Sequence, residues 1–156
     1  MQGSVEQFLS QVARRGSWVG GGSVAAFSAA LSAALLEKLV HHPGTTRRLQ
    51  AIRRDCLRLV EHDADSFAKV IRATQAGNPT AFRRSLTRAI EIPRRVRAHA
   101  LALDAICRTA TRSVNARFHS DLRCAGALAR AAVTASTAFI NTNEAWLRAS
   151  GRHART

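Results

Sequence analysis

Asp63 stands on an otherwise apolar helical line. Leu49, Ile52, Cys56, Leu59, Asp63, Phe67 and Val70 follow one another at steps of three and four residues, so an α-helix points all seven the same way. Burying an ionised carboxylate there costs on the order of several kcal/mol unless it is paired. Desolvation without pairing raises its pKa into the range where it exchanges protons. Two readings of Asp63 therefore stand side by side: a general acid/base, or one half of a structural ion pair with an arginine.

Three further groups could assist such chemistry. Gly20-Gly21-Gly22-Ser23 opens an apolar helix. Glycines let the backbone approach a ligand closely, and unpaired first-turn N–H groups favour negative charge. The run has neither the Walker lysine nor dinucleotide spacing, so by itself it fits a turn or a packing point equally well. Asn115, Ser120 and Asp121 lie in the polar stretch before the last helix. The simplest local roles are Ser120 as cap and Asp121 as complement to the helix dipole. Asn143 is a second polar residue on an inward line, after Leu122, Ala125, Ala129, Ala132, Ser136 and Ile140. There is no G-x-S-x-G elbow. No histidine pair stands at metal-ligand spacing with a cysteine or carboxylate, so no metal site is expected.

The elements that must hold these residues are helices. A chain of 156 residues that is 46% hydrophobic but 5% aromatic, its apolar residues mostly Ala, Leu and Val, favours closely packed helices over sheets. Ser4 with Gln7 makes a capping box for a first helix ending near Gly16. The glycine run starts a second, apolar nearly all round. Pro43-Gly44 breaks the pattern, and Thr45 or Thr46 caps a third helix reaching about Ala76. Asn78-Pro79 starts a fourth, which Pro93 kinks or ends in favour of a fifth running to about Ala110. Ser120 caps the last. The expectation is an all-α bundle of five or six helices over residues 1–149, with a basic tail at 150–156.

The formal charge is +14, nearly all of it arginine, since Lys38 and Lys69 are the only lysines. The arginines are spread in pairs along helix faces without interleaved aromatics, which speaks against a nucleic-acid platform. Arg14-Arg15 before an apolar run mimics an export signal. The uninterrupted part, Val24 to Leu36, is too short to cross a bilayer, and the reading is a buried core helix with no membrane partner. Cys56, Cys107 and Cys124 are widely separated, a reduced, cytoplasmic pattern.

Taken in order, Gly20-Gly21-Gly22-Ser23-Val24-Ala25-Ala26, Asp63-Ala64-Asp65-Ser66-Phe67, Ile92-Pro93, Asn115, Ser120-Asp121-Leu122 and Asn143 resemble the cyclodeaminase/cyclohydrolase family of folate enzymes. The resemblance covers roughly Val5 to Leu147. It implies a dimeric all-α bundle with folate in a cleft near the helix interface, and no cofactor beyond the tetrahydrofolate substrate. It implies Asp63 as the catalytic residue, Gly20, Gly21, Gly22 and Ser23 as the ligand loop, and Asn115, Ser120, Asp121 and Asn143 as polar pocket positions. The activity implied is formiminotetrahydrofolate cyclodeaminase or methenyltetrahydrofolate cyclohydrolase. Val19 replaces the usual proline before the glycines, Phe139 stands where asparagine is common, and relatives continue into a further helix after Asn143. These departures support an alternative, a catalytically inactive basic module that binds folate or an acidic partner.

Overall fold

A computed structural model describes residues 4–152. Among them are five α-helices: α1 (Val5–Ala13), α2 (Gly21–Leu39), α3 (Pro43–Gln75), α4 (Pro79–Ala110) and α5 (His119–Arg152), the last entered through one 3-10 turn at Ala116–Phe118. Short connections make successive helices antiparallel, and α2 to α5 pack around a common core, each against the next and α5 back against α2. Ala26, Ala29 and Ala33 of α2 and Ala125, Ala129 and Ala132 of α5 are all fully buried. These small side chains let the two helices approach closely, and the Ser32 hydroxyl donates to the Ala125 carbonyl across the seam at 2.8 Å. That packing explains how a core forms with so few aromatic residues.

The α1 capping box is present: the Gln7 N–H donates to Ser4 Oγ at 3.2 Å, and the Ser4 N–H donates to Gln7 Oε1 at 2.8 Å. Phe8 anchors the helix by packing on Phe27, ring centroids 5.0 Å apart. Several expected boundaries differ. Pro43 begins α3 rather than preceding it, and Thr46 turns back to donate to the Val40 and His42 carbonyls, both at 3.1 Å. Pro93 neither ends α4 nor starts a fifth helix, for it is buried inside one continuous helix whose packing offsets the lost hydrogen bond. Ser120 does not cap α5. The Asn115 side chain instead accepts the Arg117 N–H at 3.1 Å, and the 3-10 turn runs straight into the helix at His119. Helix α5 continues through Arg152, three residues past the expected boundary at 149; residues 153–156 lie outside the described residues.

Two features of α2 shape the rest. It has 19 residues, whereas α3, α4 and α5 have 33, 32 and 34, so three helices of about 50 Å flank one of about 28 Å. A notch opens where α2 begins. The helix is also apolar on its uncovered side, where Val24 and Leu31 are 37% and 42% exposed and Phe27 and Leu35 are partly so. By length and composition alone α2 could cross a membrane, and half of it is buried within the bundle.

Candidate active site

Asp63 projects from α3 onto the first turn of α2. Gly20 caps α2 without a side chain, which leaves the orphan N–H groups of that turn in need of an acceptor. The Asp63 carboxyl supplies it: the Ser23 hydroxyl donates to Oδ2 at 2.9 Å, and the Ser23 backbone N–H adds to the bond. No arginine pairs with Asp63 among the described residues, which sets aside the ion-pair reading. Burial pushes the carboxyl above its ordinary pKa, and the two Ser23 hydrogen bonds offset this only in part. Asp63 is half-buried, so the acid and its conjugate base are both within reach of solvent and of a ligand.

Two of the three glycines lie in close contact with side chains of neighbouring helices. A Cβ at Gly22 would sit 2.7 Å from Asp63 Cγ, and one at Gly21 would sit 2.6 Å from Phe139 Cζ. A larger residue at either position would have to displace the Phe139 ring or the Asp63 carboxyl from its place against the start of α2. Gly20 has open space around it.

Beside Asp63 the notch forms a cavity of about 290 Å³. Gly20, Gly21, Gly22, Asp63 and Asn143 line it together with Ser66, Thr142, Ala89 and Pro93, and its walls include Trp18, Phe67, Phe139 and Trp146. Both tryptophans of the chain are here, and Trp18 meets Phe67 edge-on at 6.2 Å. The Asn143 amide and the Ser66 and Thr142 hydroxyls make no hydrogen bond among the described residues, so all three are available to a ligand. Sequence reading missed Ser17, Trp18, Thr142 and Trp146. The signal was a pair of large aromatics in an aromatic-poor chain, one beside the glycine run and the other one helical turn from Asn143.

Within one chain, Asn115, Ser120 and Asp121 do not join this cavity. Asp121 pairs with Lys38 at 3.0 Å. Lys38 is in the last turn of α2 and Ser23 in the first, so most of a helix about 28 Å long separates the two groups. Asn115 and Ser120 are exposed at that far end.

Two buried carboxyls that the helical pattern did not single out are structural. Asp55 of α3 is held by α4, with Arg95 Nη2 2.7 and 2.8 Å from its two oxygens and His99 Nε2 2.7 Å from Oδ2. Burial raises this carboxyl, but the hydrogen bonds from His99 and Arg95 outweigh it and hold the pKa below the ordinary value. Asp104 of α4 pairs with Arg108 and with Arg130 of α5. Burial also pushes the Cys56 thiol up to about 12 and the Cys107 thiol to about 11, so neither is a ready thiolate nucleophile.

The arrangement can move a proton at a half-enclosed carboxyl while aromatic walls hold a flat ring. A family model described as formiminotransferase-cyclodeaminase matches residues 4–153. Among solved structures, the crystal structure of formiminotetrahydrofolate cyclodeaminase from Thermotoga maritima is similar with a TM-score of 0.78 at 21% identity, covering 91% of this chain and 78% of that one. At that identity the likeness is one of fold. No curated protein matches the chain.

Proposed function

The chain belongs to the formiminotransferase-cyclodeaminase family, and from that premise we propose that it is a one-carbon folate enzyme with Asp63 as its general acid/base. One observation carries the reading. The raised, half-buried carboxyl faces an aromatic-walled cavity and is bonded by Ser23 rather than neutralised by an arginine. A general acid/base gains from a pKa lifted toward the working pH, because both protonation states are then accessible.

In the cyclodeaminase reaction the substrate's formimino group enters as its amidinium. The N10 lone pair attacks the formimino carbon and forms the new C–N bond. Asp63 as carboxylate takes the proton from N10 and, as the acid, returns it to the departing nitrogen, whose bond to carbon breaks to release ammonia and leave the methenyl cation. In the cyclohydrolase reaction the same carboxyl takes one proton from the water that attacks the methenyl carbon and delivers it to the ring nitrogen as its bond to that carbon breaks; the remaining hydroxyl collapses to the formyl C=O and its proton is released to solvent. Asn143, Ser66 and Thr142 supply hydrogen bonds that fix the ring, and the tryptophan and phenylalanine faces support stacking of the pterin.

The enzyme works as a homodimer in this reading. The uncovered apolar side of α2 supports it, as does the placement of Asn115, Ser120 and Asp121. Two α2 helices packed antiparallel across a twofold axis would bring the far end of one chain beside the Asp63 cavity of the other.

The test is an absorbance assay that follows methenyltetrahydrofolate. Its appearance from the formimino substrate assigns the cyclodeaminase, and its enzyme-dependent loss assigns the cyclohydrolase. Tetrahydrofolate binding with neither reaction would replace the enzyme by a binding module.

A further inference from the structure

Pro93 is buried in the middle of α4, where a proline ordinarily kinks or breaks the helix. It brings no N–H, so the carbonyl four residues earlier, on Ala89, loses its regular helical donor. Ala89 and Pro93 share one face of the helix, and both line the Asp63 cavity. No side chain among the described residues donates to that carbonyl. By helical register the Ala89 carbonyl is thus left without its regular donor, on a residue that lines the cavity together with Trp18, Phe67, Phe139, Trp146 and Asn143.

We infer that the Ala89 carbonyl is a ligand-binding acceptor exposed by Pro93, and that it selects a flat ring presenting N–H donors along one edge. The inference rests on the folate reading of the same site. A carbonyl only accepts hydrogen bonds, so it faces the donor edge of a pterin, its ring N–H and exocyclic amino group, and discriminates against rings that present only acceptors there. The remaining donors of the pocket, the Asn143 amide and the Ser66 and Thr142 hydroxyls, are left for the ring's acceptors. Pro93 is a positioning residue and touches no reacting atom.

The experiment is calorimetric binding of 5-formyltetrahydrofolate, and of its analogue without the exocyclic amino group, to the wild-type protein and to Pro93→Ala. Alanine restores an N–H and lets the helix reclaim the Ala89 carbonyl. The variant is expected to melt at or above the wild-type temperature and to protect the new backbone amide at position 93 from exchange. It is expected to bind the amino-bearing ligand about 5- to 20-fold more weakly, the worth of one hydrogen bond in a part-enclosed site. Wild type is expected to prefer the amino-bearing ligand, and Pro93→Ala to lose that preference. Should the variant keep wild-type affinity and preference while the new amide is protected, the inference is overturned. A variant that melts lower and leaves that amide unprotected also overturns it, since Pro93 would then be a packing residue. Failure of the wild-type protein to bind either ligand instead removes the folate reading itself.

Discussion

Asp63 costs the fold something that Asp55 does not. Both sit on α3 and both are desolvated, yet the burial of Asp55 is offset by Arg95 and His99 while Asp63 has Ser23 alone. The Asp63 pKa in the folded chain lies above its ordinary 3.8, so the folded state binds that proton more tightly than the unfolded state does. Stability from this group is therefore present below pH 3.8 and is lost as pH rises through the folded value. An asparagine at 63 can still accept from Ser23 but carries no charge to desolvate. Melting temperatures of Asp63→Asn and wild type, followed from below pH 3.8 to neutrality, should diverge in favour of the variant as pH rises. A difference that moved the other way would mean that the carboxylate stabilises the fold. Asp63 was legible because an acid interrupts a run of apolar residues at helical spacing. Trp18 and Trp146 were not, because one lies on a loop and the other off the inward line of its helix, where periodicity carries no information.

At the scale of the element, α3 and α4 are fastened together by the Asp55 cluster, about two helical turns along α3 from Asp63. The Asp55 carboxyl is held below 3.8 in the folded chain, so its contribution is present above that pH and is lost as pH falls through the folded value. Asp55→Asn should lower stability at neutral pH by about 1–3 kcal/mol, discounted for the exposure of Arg95, and the deficit should shrink in acid. Urea unfolding at two pH values measures it, and a deficit unchanged by pH would contradict the pairing. Helix types and most inward lines could be read from spacing, since α3 and α5 bury most of the residues that periodicity selects; Phe67, 41% exposed, is an exception, because it turns to the cavity beside Trp18 rather than into the core. Boundaries were harder. Pro93 carries a local signal to stop that tertiary packing overrides, and Ser120 carries a capping signal that Asn115 pre-empts by closing the preceding turn.

For the whole molecule, one uncovered surface and one uncovered site point the same way. The outer side of α2 exposes Val24 and Leu31 on the most apolar helix of the bundle, and burying such a face in a symmetric contact is worth about 25 cal/mol per Å². A charge placed at its centre cannot be buried twice at a twofold axis, so Leu31→Glu is expected to convert the proposed dimer into a folded monomer by light scattering. A wild-type chain of monomeric mass would contradict this. The resemblance implied a dimer, but which face of α2 a second chain would cover was beyond sequence reading, because α2 is apolar nearly all round and its pattern does not say which side faces which neighbour. The account as a whole turns on one acid. Turnover of the formimino and methenyl substrates should be compared between wild type and Asp63→Asn at matched folding and oligomeric state, with ligand binding measured alongside. The account predicts a loss of about 100-fold or more with binding retained; an Asp63→Asn protein that turns over at the wild-type rate would contradict it.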